Sequence, residues 1–185
     1  MRVLAIPGSL RNDSYNAKLL YNSAELFPED VVLDLWGGLK DVPPYDEDDD
    51  GEEADPAVER LRDAVARADA ILVATPEYNA SIPGQLKNAI DWASRPRGAA
   101  AIANKPVAVI GTSTGSFGGV WAQEELRKVL RTAGARVVGG EVAVPRAHVR
   151  LAEDGRLLDD ELRERAQVLV DAVLAEVRPA WVVAA

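Results

Sequence analysis

"AILVATPEYNASIPGQLKNAIDWA", residues 70–93, changes character twice within two dozen positions. Ala70 to Thr75 is a continuous apolar run of strand length, which is how a strand covered on both faces of a parallel sheet reads. A loop stiffened by Pro76 and Pro83 follows, and Pro83-Gly84 suits the opening of a helix. Leu86, Ala89, Ile90 and Ala93 then recur at i, i+3, i+4 and i+7, so one helical face is apolar. The pattern repeats along the chain. Apolar runs at 3–7, 31–36, 107–112 and 136–144 alternate with helical periods at about 16–27 and 56–67, at Leu126, Val129, Leu130 and Ala133, and at 159–176 with Leu162, Ala166, Leu169 and Val173 inward. Five strands and five helices in alternation, joined by right-handed crossovers, predict a doubly wound, three-layer α/β domain spanning residues 1–185. Ligands of such sheets bind at the carboxyl ends of the strands, beside the point where strand order reverses. The loops after the first, third and fourth strands are therefore the places to look.

Composition narrows what those loops could hold. At 185 residues and 48% hydrophobic, the chain has enough apolar matter for one good-sized core. Thirty acidic against 21 basic residues give no electrostatic support for nucleic acid or an anionic membrane, so an anionic ligand needs a local site. With no cysteine and only His148, thiol chemistry, disulfides and a multi-histidine metal cage are excluded, and no bound metal is expected. The chain opens on a strand-like run and has no stretch of about 18 apolar residues, from which we expect a soluble, cytoplasmic protein.

The first loop reads "IPGSLRNDSYN", residues 6–16. Gly8 permits a sharp turn after the strand, and the free N–H groups ahead of the helix form an anion site favoured by the helix dipole. Ser9 and Ser14 add hydroxyls, Asn16 an amide and Arg11 a planar fork suited to a phosphate. Ser14 or Asn16 could equally cap the helix, but a cap does not explain Arg11. The spacing is neither that of a P-loop nor that of a dinucleotide fingerprint, so a monophosphate is the better fit. In the second loop Glu77, Tyr78 and Asn79 form a rim suited to a flat ligand: backbone groups for a heteroaromatic edge, a ring, and an amide that both donates and accepts. The third, "GTSTGSFGG" at 111–119, combines hydroxyl residues with four glycines, either for close approach of backbone to a ligand or as a flexible turn.

Gly-Ser-Leu-Arg with Ser14 and Asn16, Pro-Glu-Tyr-Asn with Ile-Pro-Gly-Gln-Leu-Lys-Asn-Ala-Ile-Asp-Trp, and Gly-Thr-Ser-Thr-Gly with Gly-Gly together resemble the NADPH-dependent FMN reductase family of flavodoxin-like flavoproteins, over roughly residues 1–145. The resemblance implies a parallel sheet of order 2-1-3-4-5, non-covalent FMN, and ping-pong transfer of hydride equivalents from NAD(P)H to quinones, free flavins, azo dyes or chromate. It implies that Ser9, Leu10, Arg11, Ser14, Tyr15 and Asn16 hold the phosphate and ribityl end. Pro76, Glu77, Tyr78 and Asn79 would meet the isoalloxazine, with Ser113 and Gly115 on its far side. A homodimer or homotetramer is also implied. No catalytic side chain is named, because the flavin carries the chemistry. An electron-carrying flavodoxin is the competing reading; an arginine in the phosphate loop favours the reductase.

Three features lie outside these motifs. The acidic insert "YDEDDDGEEADP" begins like a calcium loop at Asp46, Asp48, Asp50 and Gly51, but Ala57 stands where a bidentate glutamate is needed, and a solvated connection is expected. His148 reads as a surface residue, or as one near the substrate mouth. The terminal "RPAWVVAA" with Trp181 either folds back on the body or packs on another subunit.

Overall fold

The computed structural model describes residues 1–51 and 54–177. Four parallel strands, β1 (Arg2–Pro7), β2 (Val32–Leu35), β3 (Ala70–Thr75) and β4 (Pro106–Thr112), lie in the order β2-β1-β3-β4. The far edge is completed by β5 (Arg136–Val137) and β6 (Val142–Val144), both paired with β4. The helices are α1 (Tyr15–Asn22), α2 (Pro56–Arg67), α3 (Gly84–Ala93), α4 (Val120–Thr132), the single-turn α5 (Ala147–Arg150) and α6 (Asp160–Val177).

Alternate residues of each central strand feed two separate cores. Leu4, Ile6, Ile71, Val73, Val107 and Val109 pack with α2, α3 and α4. Val3, Ala5, Leu72, Ala74, Ala108 and Ile110 pack with α1 and α6. All of β3 and β4 is buried, the physical origin of their uninterrupted apolar sequence. The chain leaves β1 for β2 on one side and then returns past β1 to β3 on the other, so the strand order reverses between β1 and β3.

The expected fifth strand, 136–144, is in fact two short pieces. Gly139, at φ +67°, takes the chain out of the ladder, and a Cβ there would lie 2.4 Å from Leu169 Cδ1. The carbonyls thereby turned away from β4 are met by Arg127 of α4, which donates to Gly139 O at 2.6 Å and to Gly140 O at 3.3 Å. Burial pushes that guanidinium below its usual pKa. The first helix is also shorter than expected: it ends at Asn22, and a 3-10 turn over Ser23–Leu26 follows, with Ser23 Oγ donating to Leu20 O. The α5 turn, four residues long, is too short to leave a helical period in the sequence.

The crossover from β2 to α2 runs along α3, whose side chains hold it by its main chain. Gln85 Nε2 donates to the carbonyls of Leu39 and Val42 (2.9 and 2.7 Å), while Asn88 Nδ2 and Trp92 Nε1 both donate to that of Pro43 (2.8 and 2.9 Å). Asn88 Oδ1 accepts from Tyr45 N at 2.7 Å, and Arg95 Nε donates to Tyr45 Oη at 2.8 Å. Within the acidic insert, Asp46 caps a 3-10 turn at Glu47–Asp49, and Asp50 pairs with the largely buried Arg62 at 2.5 Å. The Trp181 tail lies outside the described residues. Among those described, no helix is long and apolar enough to cross a membrane.

Candidate functional site

The three loops singled out in the sequence meet at the carboxyl edge of the sheet and are bonded to one another. Gly8 N donates to Ala74 O at 2.7 Å, joining the first loop to the end of β3. Asn16 Nδ2 donates to Thr112 O, and Thr112 N donates back to Asn16 Oδ1, both at 3.0 Å and both buried, which clasps α1 to the end of β4. Glu77 Oε2 accepts from Trp121 N and Ala122 N at 3.1 and 3.2 Å, so the second loop caps the N-terminus of α4. Ser113 N donates to Val144 O at 3.2 Å, and Arg146 N donates to Gly115 O at 2.9 Å, fastening the third loop to the end of β6.

Within the first loop, Ser14 is buried and caps α1, its Oγ accepting from Ala17 N at 3.3 Å. That leaves the hydroxyl proton for a second acceptor. Ser9 Oγ accepts from Arg11 N at 3.4 Å, while Leu10 and Arg11 are exposed. Tyr15 packs its ring against the core shared by α1 and α6. Lys18 is committed to Asp13 at 2.5 Å; that hydrogen bond is the chief cause holding the Asp13 carboxyl below its ordinary pKa and the Lys18 ammonium above its own. Arg11 makes no side-chain hydrogen bond or ion pair among the described residues, and its charge is only a small contributor at Asp13. It is the cation the first loop leaves available.

The second loop is a tight reverse turn. Tyr78 and Ser81 exchange both backbone hydrogen bonds, at 3.0 and 3.1 Å, around Asn79 and Ala80, both in the left-handed region at φ +54° and +59°. An alanine held there is strained, and such strain is kept where surroundings fix the backbone for a purpose. Pro76 is buried beneath the turn, and Thr75 Oγ1 donates to its carbonyl at 2.8 Å; the Tyr78 ring and Asn79 face solvent. In the third loop Gly118, at φ +65°, passes so close to β6 that a Cβ would lie 2.7 Å from Val144 N.

The structure thus brings all twelve residues expected at the site to one edge of the sheet, with different duties. Arg11, Leu10, Tyr78, Asn79 and Gly115 are on its exposed surface. Asn16, Glu77 and in part Ser14 spend their side chains fixing the loops to one another. Sequence reading did not single out Thr112, Gln123, Phe117, Trp121 or Arg146. Gln123 had a legible signal, a polar residue on the apolar face shared with Leu126 and Leu130. It is fully buried, with Nε2 3.4 Å from Gly118 O and Oε1 without a partner among the described residues. Nothing in the spacing marks Arg146, whose left-handed backbone (φ +52°) follows β6.

The family model for NADPH-dependent FMN reductase matches residues 1–149. The NAD(P)H-dependent FMN reductase of Pseudomonas aeruginosa is 42% identical over 179 residues, 96% of each chain. A 2-hydroxy-1,4-benzoquinone reductase of a Burkholderia species is 38% identical, over 96% of this chain and 97% of its own. Among solved structures, the flavoenzyme NAD(P)H:(acceptor) oxidoreductase FerB of Paracoccus denitrificans superposes with a TM-score of 0.84 at 38% identity, covering 95% of this chain and 96% of that one. These relatives favour the reductase over the electron-carrying flavodoxin. The residues present also fit FMN: an uncommitted arginine and hydroxyls ahead of a capped helix suit its phosphate. The chain belongs to the NADPH-dependent FMN reductase family and is an FMN-dependent NAD(P)H oxidoreductase of flavodoxin-like fold.

Proposed function

We propose that the 185 residues act as one FMN-binding domain that reduces quinones in the cytoplasm: NAD(P)H, a proton and a quinone give NAD(P)⁺ and a hydroquinone. Bound FMN supplies the ring that takes up and passes on the hydride. The chain's own residues bind and position. Arg11, Ser9 and Ser14 receive the phosphate at the start of α1, with Leu10 and Tyr15 beside them. Asn16 acts one step removed, by fixing the end of β4 against that helix. Pro76, Tyr78 and Asn79 present a rigid turn to the ring; Glu77 keeps the turn in place by its bonds to α4. Ser113 and Gly115 border the opposite side. Free flavins, azo compounds and chromate are further acceptors for the same open mouth, and a homodimer or homotetramer belongs to the same reading.

The observation that carries this proposal is the guanidinium of Arg11, without a partner among the described residues and ahead of a capped helix whose own Lys18 is already paired. It is tested by loading the protein with FMN. About one FMN per chain is expected to bind, its visible absorption to bleach with NADH or NADPH under nitrogen, and a benzoquinone to restore it, with a chelator making no difference. A protein that ignores added FMN, or whose bound flavin stays oxidised with both nucleotides, would sink the proposal.

A further inference from the structure

Phe117 and Trp121 are 61% and 46% exposed, with ring centroids 4.9 Å apart and planes tilted by 55°. Neither ring packs against either core, so they gain little from the fold that bears them. Their backbone is nevertheless tightly held. Phe117 precedes Gly118, which is pressed against Val144, and Trp121 N is bonded to Glu77, the neighbour of the half-exposed Tyr78. The pair therefore stands in fixed relation to the turn at 78–81, on the β4 side of the same rim. The indole Nε1–H has no acceptor among the described residues. Paired aromatic faces open to solvent on a held backbone, with one spare donor, match a flat ring whose heteroatoms only accept. A quinone is of that kind. A nicotinamide carboxamide, which also donates, is matched only in part.

We propose that Phe117 and Trp121 form a stacking shelf that selects planar, fused-ring quinones as acceptors, with Trp121 Nε1 donating to a quinone oxygen. The inference rests on the quinone-reductase reading of the site and names the acceptor class within it. It differs from stacking on the flavin ring alone, which removal of the two side chains would leave unchanged. The shelf supplies affinity for a flat quinone and none for an inorganic oxidant.

The test compares FMN-loaded wild type with Phe117→Ala/Trp121→Ala and with Trp121→Phe, using a 1,4-naphthoquinone and hexacyanoferrate(III) as acceptors. Bleaching of the flavin by NAD(P)H is followed separately. Loss of both rings is expected to raise KM for the naphthoquinone about tenfold, and Trp121→Phe, which keeps a ring but not the donor, about threefold. KM for hexacyanoferrate(III) and the bleaching rate should stay within about twofold. An unchanged naphthoquinone KM overturns the shelf, as does an equal loss for the inorganic acceptor. Slower bleaching in the double variant would assign the rings to the nicotinamide, and a smaller particle by light scattering would assign them to a second copy of the chain; either result also overturns it. Failure of the underlying reading looks different: the wild-type flavin itself would not bleach.

Discussion

Arg11 and Asn16 are five positions apart, on either side of the start of α1, and have opposite duties. Both are polar residues that a phosphate site would use, and residue type alone does not separate them. The separation comes from what each meets: Asn16 is buried against the backbone of Thr112, ninety-six positions away, while the Arg11 side chain has among the described residues no more than a distant share of Asp13. A contact of that span leaves no local trace, which is why the arginine was legible in the sequence and the clasp was not. Glu77 repeats the lesson, since a carboxylate in a rim motif reads as a ligand group until α4 is seen to begin on it. Arg11→Ala is expected to weaken FMN binding by about 2 to 4 kcal/mol, the scale of a lost charge-assisted contact, and to leave riboflavin, which lacks the phosphate, nearly unaffected. Fluorescence titration with both flavins decides it; equal losses would remove the phosphate from Arg11.

Elements were readable wherever burial was complete. The continuous apolar runs of β3 and β4 and the apolar faces of α2, α3 and α4 stand where periodicity puts them, because a central strand or a sheet-facing helix has one environment along its length. The edge strand was misjudged as one piece because its interruption depends on Leu169 and Arg127, partners that composition does not reveal. Connections between elements are the other unreadable part, and the Asn16 clasp makes their weight measurable. Asn16→Ala would leave both the N–H and the carbonyl of Thr112 unpaired in a dry place. We expect it to lower the unfolding free energy of the flavin-free protein by about 2 to 4 kcal/mol in a denaturant titration. Arg11→Ala, on the surface, should change it by no more than about 0.5 kcal/mol. A neutral Asn16→Ala would show that α1 does not depend on β4 for its position.

For the whole molecule, alternation of strands and helices was enough for the layered class, but the strand order came from resemblance of motifs, since hydrophobic patterns do not say which strand neighbours which. The order observed places β1 and β3 side by side, and that adjacency brings distant loops to one rim. Assembly belongs to this scale too. Light scattering at micromolar concentration is expected to give at least twice the chain mass of 19.9 kDa, and a particle of single-chain mass would refute the homo-oligomer. The crossover laid along α3 has its own bearing on the molecule. Gln85, Asn88 and Trp92 grip it by carbonyl oxygens, which every amino acid carries, and the buried Leu39 and Val42 and the Tyr45 ring against Trp92 complete the hold. Between that hold and the Asp50–Arg62 pair, Asp46, Glu47, Asp48 and Asp49 are open to solvent, so charge can accumulate or be exchanged at these four positions without disturbing α3. Those four positions are free to drift in evolution while the residues on either side of them are held still.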